Sequence, residues 1–408
     1  MTTASALRGK RVVVVNWRDL DHSQSGGAEI YAWQYARTLR EGGAQVRFVT
    51  GRDAGQSARE SREGIEIHRG GSRIGFNLFA LLWLLRHRSG IDAVIDPACG
   101  LPSYSPLVLR RGTPAFLIVH HVHQAQFAVH FPAPVAAFGR WMERVAMRRV
   151  YRRQLTAAVS QSTATEMREQ LGWTGDIRIL ENGADLSSYD AADAVDKDAD
   201  RIVVLGRLVA HKRVDLVLDA VAAVRARPEF ADRNLLVDVI GHGPESERLV
   251  AHAAALGLAD KVVFHGYVST EEKDDLLGRA AVHVCGSDAE GWGQAVIDAA
   301  ASGVPTVARD VPGLRDSIRN GKSGWLVPDA TDPEVVTDHL ADALSTALVE
   351  AADPTTRVLR AEACLKWAHK FDWSQMRSNA RDLTTEMLIG RAPALPDCHN
   401  PRDSRVAV

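Results

Sequence analysis

Arg11-Val-Val-Val-Val-Asn-Trp17 is a short, continuous, β-branched run, the pattern of a strand buried on both faces. A polar loop follows and ends in Gly26-Gly27. Ala28 to Arg40 has helical character and stops at Gly42-Gly43, a C-cap signal. Ala44-Gln-Val-Arg-Phe-Val-Thr50 is a second strand-like run. Strand, glycine turn, helix and strand make one βαβ unit. The alternation continues with a helix near 77–88 and strands at Ala93-Val-Ile-Asp96 and Ala115-Phe-Leu-Ile-Val-His120. A long helix from about residue 134 and a strand at Leu155-Thr-Ala-Ala-Val-Ser160 complete the first half.

Residues 186–200 are polar and acidic and read as a linker. The alternation then restarts. Strands are expected at Ile202–Leu205, Leu235–Ile240, Val262–Phe264, Val282–Cys285 and Pro305–Ala308. Helices are expected over Val214–Arg225, from Pro244, over 270–280 and over Gly293–Ser302. Two successive runs of βαβ units mean an α/β chain with two doubly wound, Rossmann-like domains. Such sheets bind ligands beyond the carboxyl ends of their strands.

The bulk composition agrees. With 408 residues, two domains are the default. A hydrophobic content of 46%, charged content of 25% and formal net charge of −2 argue against a nucleic-acid binder. The four cysteines lack C-x-x-C spacing, which favours free thiols in a reducing compartment. Met1 to Lys10 has no apolar signal core, and Phe76–Leu85 falls far short of the ~20 residues of a membrane span. A cytoplasmic location is expected. Lysine is scarce beside arginine and alanine is abundant, as in GC-rich bacterial genomes.

The polar residues with chemical potential fall where ligands bind. Gly26-Gly27-Ala28-Glu29 puts flexible backbone at a helix N-terminus, where free amides and the helix dipole favour an anion. It is neither G-x-G-x-x-G nor a P-loop, and a plain tight turn is the competing reading. Gly206-Arg207-Leu208 and Lys212 follow a strand; a guanidinium and an ammonium there suit a diphosphate, or are simply two surface cations. Glu290-Gly-Trp-Gly-Gln-Ala-Val-Ile-Asp298 places one acid at a glycine turn, where it can accept from sugar hydroxyls. The second acid, about two helical turns on, could take a ribose diol. Otherwise Glu290 complements a helix dipole and Asp298 is an ordinary helix acid. His120-His121-Val122-His123 lacks nearby carboxylates or cysteines, so a metal site is not expected; His120 at a strand end could reach a bound sugar. Arg140, Arg144 and Arg148 form a stripe at spacing four, joined by Arg149, Arg152 and Arg153. Phe138, Trp141, Met142, Val145 and Val150 supply an apolar side. That helix could touch anionic lipid, or be a packed helix with a solvated basic face.

In these residues the chain resembles the family-4 retaining glycosyltransferases, whose fold is GT-B. The match runs from Val12 to about Leu388. It also takes in Glu181-Asn-Gly-Ala-Asp185, Gly241-His-Gly-Pro-Glu245, His265-Gly-Tyr-Val268, Val304–Ala308 and Ser323–Pro328. The resemblance implies an acceptor-side domain over 1–190, a donor-side domain over 200–370, and a helix over 371–390 crossing back to the first domain. A disordered tail is expected over 391–408. It implies transfer of a hexose from a nucleoside diphosphate sugar (UDP- or GDP-linked) to an acceptor hydroxyl, with retention and without a metal or other cofactor. Gly26 and Gly27 would lie against the donor phosphate. Arg207 and Lys212, beyond the Gly206 turn, would stabilise the leaving diphosphate. Glu290 would hold the donor sugar with amides near Gly293 and Gln294, Asp298 the ribose, Val268 the base, and His120 the reaction centre. The family pattern has Glu at position 298; Asp is shorter by ~1.5 Å, about one C–C bond. The acceptor, a glycan, lipid-linked saccharide or small natural product, would be met by Trp17–Ser25, Asp96–Pro106 and Val122–Pro134. The helix over 140–153 suggests peripheral contact with the inner membrane face. A sugar-nucleotide epimerase and a non-catalytic nucleotide-binding module remain as rivals. A dehydrogenase is weaker for want of a dinucleotide fingerprint.

Overall fold

The computed structural model describes residues 6–390 apart from 73–74, 128–130 and 187–188. The tail expected over 391–408 lies outside the described residues. The apolar runs of the first half become β1 (Arg11–Val15), β2 (Gln45–Thr50), β3 (Arg59–Arg62), β4 (Ile65–Arg69), β5 (Ala93–Ala98), β6 (Ala115–Val119), β7 (Leu155–Ala158) and β8 (Arg178–Ile179). They form one sheet in the order β3-β4-β2-β1-β5-β6-β7-β8, parallel except for the β3–β4 pair. In register, Val12 lies between Val46 and Ala93. β5 and β6 are buried along their whole length, because helices cover both faces of the sheet.

One face is covered by α1 (Gly27–Glu41), the other by α2 (Phe76–His87), α4 (Arg148–Tyr151) and α5 (Gln161–Glu169), with α3 (Ala133–Trp141) preceding α4. The long helix expected from residue 134 is not uniform. A π-helical segment, Met142–Met147, interrupts it between α3 and α4. Its wider turn breaks the spacing of four, so Arg140, Arg144 and Arg148 do not form one stripe. Arg148 turns inward and donates to the carbonyls of Leu171 and Gly172 at 3.3 and 3.0 Å.

The second sheet is built from β9 (Asp198–Leu205), β10 (Leu236–Ile240), β11 (Val262–Gly266), β12 (Ala280–Cys285), β13 (Thr306–Arg309) and β14 (Gly324–Val327). Its order is β11-β10-β9-β12-β13-β14, with every pair parallel. Its helices are α6 (Val214–Arg225), α7 (Ser246–Ala255), α8 (Thr270–Arg279), α9 (Gln294–Ala301), α10 (Leu314–Ser317), α11 (Pro333–Ala352) and α12 (Pro354–Ala368). Pro244 stands in the turn ahead of α7 rather than at its first residue.

The expected linker over 186–200 is partly structured. Ala191–Asp196 is a 3-10 turn, and β9 begins at Asp198 instead of Ile202. Lys197 is buried; its ammonium donates to the carbonyls of Leu277 and Gly278 at 3.2 and 2.8 Å, and lies over the Tyr189 ring.

The last helix, α13 (Trp373–Ile389), returns to the first sheet. The Tyr35 hydroxyl of α1 donates to the Ala380 carbonyl at 3.1 Å and pairs with the Thr384 hydroxyl at 2.7 Å. Gly183 is required at this junction: a Cβ there would come within 2.3 Å of the Trp373 ring.

Candidate functional site

Each sheet has one point where the strand order reverses. In the first it lies between β1 and β5, in the second between β9 and β12. Loops leaving the carboxyl ends of such neighbours part in opposite directions and open a crevice. Gly206-Arg207 and Lys212 follow β9; Glu290 follows β12. The topology therefore brings residues 78 positions apart into contact.

Lys212 and Glu290 form a close ion pair, with side-chain exposures of 21% and 15%. The Ser287 hydroxyl donates to the same carboxylate oxygen at 2.8 Å. Burial pushes the Glu290 carboxyl up, but the Lys212 charge, the hydrogen bonds from Lys212 and Ser287 and the nearby His211 together outweigh it and hold the group below its usual range. Burial likewise pulls Lys212 down, and Glu290 more than offsets this, so the ammonium sits above its ordinary value. Both groups are charged at neutral pH.

Arg207 is exposed and has no carboxylate partner among the described residues. Its turn is fixed by backbone packing. Gly206 has φ 147°, and Cβ atoms on Gly241 and Gly243 would stand 1.9 and 2.1 Å from the carbonyl oxygens of Gly206 and Leu208. The glycines of Gly241-His-Gly-Pro-Glu245 thus let two loops meet, and the Leu208 amide donates to the His242 carbonyl at 3.1 Å.

Across the crevice stand two helix N-termini. A Cβ on Gly27, at the start of α1, would lie 3.6 Å from the Gln294 side chain, at the start of α9. Their unpaired amides and aligned dipoles make an anion-favouring corner. Gly26 does not serve it through its own amide, which donates to Glu29 Oε2 at 2.7 Å; the anion-facing amides begin at Gly27. Glu29 is tied in turn to the buried Arg18 at 2.9 Å.

Gly293 caps α9 with φ 91° against Ser317. The Gln294 side chain is engaged, donating to the Gly183 carbonyl at 3.0 Å and to Asp298 at 2.9 Å. Asp298 has a second neighbour in Lys273, 3.9 Å away, and burial raises its carboxyl. Val268 packs beneath the cleft beside Val203 and Ile240. Its neighbour Tyr267 is 93% exposed on the turn after β11, where Gly266 has φ 70°.

His120 is buried, with its ring edge-on to Tyr31 at 4.7 Å. Its Nε2 has no partner among the described residues, and burial lowers its pKa to about 4, so the ring is neutral at pH 7. His121 was not singled out by sequence. It is close enough to Glu290 and Lys212 to feel their charges, and its Nε2 lies 3.0 Å from Gln126 Nε2. Burial lowers it further, to about 3.

In the first domain β5 runs to Ala98, so Asp96 belongs to a strand and not to the loop. Its carboxylate is buried and accepts from the Ser103 amide and from the hydroxyls of Ser103 and Tyr151. It pins the 99–105 loop instead of facing the cleft. Among the described residues, no group of three or more His, Cys, Asp or Glu side chains is placed to hold a metal ion.

Residues 25–188 match the model described as Glycosyltransferase Family 4, and residues 188–355 match Glycosyl transferases group 1. The chain belongs to the family-4 glycosyltransferases and has the GT-B fold. This glycosyltransferase is 29% identical over 319 residues to the GDP-mannose-dependent alpha-(1-6)-phosphatidylinositol monomannoside mannosyltransferase of Mycolicibacterium smegmatis. That alignment covers 73% of this chain and 76% of the relative. It is also 29% identical to a D-inositol 3-phosphate glycosyltransferase of Streptomyces avermitilis, over 68% of this chain and 61% of that protein's length. Sucrose-phosphate synthase from Thermosynechococcus elongatus shares the fold at TM-score 0.77 and 19% identity, covering 93% of this chain and all (100%) of that one. Anabaena HepE, solved with UDP and glucose, shares it at TM-score 0.69 and 15% identity, covering 92% and 100%.

Proposed function

We propose that this glycosyltransferase moves a hexose from a nucleoside diphosphate sugar, UDP- or GDP-linked, to an acceptor hydroxyl with retention of anomeric configuration and without a metal. The observation that carries the reading is the charged Lys212–Glu290 pair beside the unpartnered Arg207, facing the helix N-termini at Gly27 and Gln294. As the bond from the anomeric carbon to the diphosphate lengthens, negative charge grows on the diphosphate. Arg207, Lys212 and the amides of the two N-termini would meet it with dipoles and charges already in place. Glu290 would hold the sugar hydroxyls, and the carbonyl edge of His120 and the neutral ring of His121 would line the reaction centre. Asp298 would reach the ribose with help from Gln294, whose amide already binds it. The acceptor would enter between the 99–105 loop and the 122–134 segment, as a glycan, lipid-linked or natural-product hydroxyl.

A thermal-shift panel of UDP-, GDP-, ADP- and dTDP-sugars, with and without Mg²⁺, tests this. One donor should stabilise the protein without metal and fail to do so in Arg207→Ala/Lys212→Ala. Incubation of that donor alone should return it unepimerised, and transfer should require acceptor. Stabilisation by none of them, or only by NAD, would remove the reading.

The exposed Tyr267 carries a second expectation. A ring standing free beside the base position offers a stacking surface, worth roughly 1–3 kcal/mol per base in known cases. Tyr267→Ala should weaken nucleotide affinity about tenfold or more by calorimetry, with kcat at saturating donor little changed. An unchanged affinity would leave the base held by backbone alone.

A further inference from the structure

The helix after the 122–131 segment is not the packed helix that its apolar residues suggested. Phe138 and Trp141 are 61% and 49% exposed and stack on each other, with ring centroids 6.0 Å apart; Val135, one turn earlier, is exposed too. Their partners in the core are instead Met142 and Val150, on the other side. Beyond them Arg144, Arg149, Arg152 and Arg153 are exposed and have no carboxylate partner among the described residues. Several arginines elsewhere are paired, Arg37 with Glu63, Arg62 with Asp21 and Arg360 with Glu350; here four unpaired ones crowd ten residues. The one acid between residues 131 and 153, Glu143, is buried and turned inward, accepting from the His123 amide and the Gln124 side chain, each at 2.7 Å.

The same side of the sheet carries a second outward apolar stripe. α2 buries Phe76, Ala80, Trp83 and Leu84 in the cluster that also holds Met147 and Tyr151, and leaves Leu78, Leu82 and Leu85 exposed. The spacing of four and three puts those leucines on one helix face.

We infer that this face of the first domain lies on an anionic lipid surface, with Phe138 and Trp141 as interfacial wedges and the four arginines against lipid phosphates. Aromatic and aliphatic side chains beside unpaired cations, with no acid turned outward between residues 131 and 153, complement a bilayer interface in both apolarity and charge. A soluble phosphate-bearing partner would satisfy the arginines but leave the rings in water. The face is also joined to the site: the Gln124 side chain donates to the Arg140 carbonyl at 3.1 Å, and the Tyr104 hydroxyl to the Met142 carbonyl at 2.9 Å. Both donors belong to the acceptor segments. The inference rests on the transferase reading only in locating the acceptor at the membrane; binding to lipid does not depend on it.

Co-sedimentation of the full chain with phosphatidylcholine vesicles, with and without phosphatidylglycerol, tests it. The protein should partition to the phosphatidylglycerol vesicles, and less so as salt rises. Phe138→Ser/Trp141→Ser and Arg144→Gln/Arg149→Gln/Arg152→Gln/Arg153→Gln should each weaken partition by about tenfold or more. Because these side chains are exposed, both variants should keep the wild-type circular dichroism and donor-induced thermal shift. No binding by the wild type, equal binding to neutral vesicles, or variants that bind like the wild type would overturn the inference. So would a concentration-dependent dimer that Phe138→Ser/Trp141→Ser dissolves, since the face would then belong to a second copy. Loss of the donor shift in the wild type would sink the transferase reading and leave the vesicle result standing.

Discussion

Lys212→Ala is expected to lower kcat by about two to three orders of magnitude, the range for removing one preorganised stabiliser of a developing anion. It should also destabilise the fold, because Glu290 loses the cation that keeps it ionised in a largely buried place. Removing one partner of a fully buried pair costs about 3–5 kcal/mol. This pair is 21% and 15% open to water, so roughly 1–3 kcal/mol is the expected loss. The pH dependence separates the two effects. In the wild type the Glu290 carboxyl is held low, so its contribution is present above the unfolded carboxyl pKa and is lost as pH falls through the folded one. In Lys212→Ala, burial dominates and the carboxyl rises. Its penalty is then greatest at neutral pH and vanishes in acid, where both states bind the proton. The stability gap between variant and wild type should therefore begin to narrow as pH falls through the variant's raised carboxyl pKa, above the ordinary value of 4.5, and narrow further below 4.5 as the wild type loses its ion pair. Lys212→Ala/Glu290→Gln should recover most of the neutral-pH stability, since the Ser287 hydroxyl still finds an acceptor, and none of the turnover. Thermal melts across pH and single-turnover kinetics read both. Recovery of turnover in the double variant would show that Lys212 serves only to pair Glu290.

The architecture was legible because its strands are short, apolar and buried on both sides, as Val12–Val15 and Ala115–Val119 show. The β3–β4 hairpin was not. Arg59-Glu-Ser-Arg62 forms the sheet edge, paired on one side only, and needs no apolar residue. Lys197 escaped for a related reason: an acidic, polar run reads as solvent-facing, while its ammonium is held by two helix-end carbonyls that sequence cannot place. Phe138 and Trp141 misled in the opposite sense. At three-residue spacing they look like a core stripe, and nothing local distinguishes a buried face from one left bare. The glycine-rich turns and the two acids of 290–298 could be read as candidate site residues from their types. The Lys212–Glu290 contact could not, because it is created by strand order. Nor could the roles of Gln294, tied to Gly183 and Asp298, or of His121, which one position in register separates from His120.

Strand order also brings Gly291 hard against the first domain. A Cβ there would stand 1.9 Å from the His120 carbonyl oxygen and 3.6 Å from the His121 Cβ, both in the first domain. The Gly291 carbonyl accepts from the Thr163 hydroxyl at 3.2 Å, and the Ser162 amide donates to Asp316 at 2.9 Å, so the two domains meet at this edge through backbone. Gly291 does not need a positive φ, so alanine is acceptable to its own turn. The clash therefore falls on the interface and not on either domain. Gly291→Ala should hold the domains apart by the order of 1 Å, which is enough to misplace His120 and His121 against Glu290 and to admit water; a displacement of that size can lower turnover about 100-fold. Nucleotide affinity should change far less, because Arg207 and Tyr267 belong to the second domain alone. In solution scattering, donor should compact the wild type more than the variant, and the melting temperature of the unliganded variant should stay close to wild type. The ratio of donor hydrolysis to transfer should rise, since a cleft that cannot shut excludes water poorly. Wild-type turnover in Gly291→Ala would mean that productive closure leaves this edge open, and that the backbone contact of Gly291 with His120 belongs to a resting arrangement instead of the reacting one.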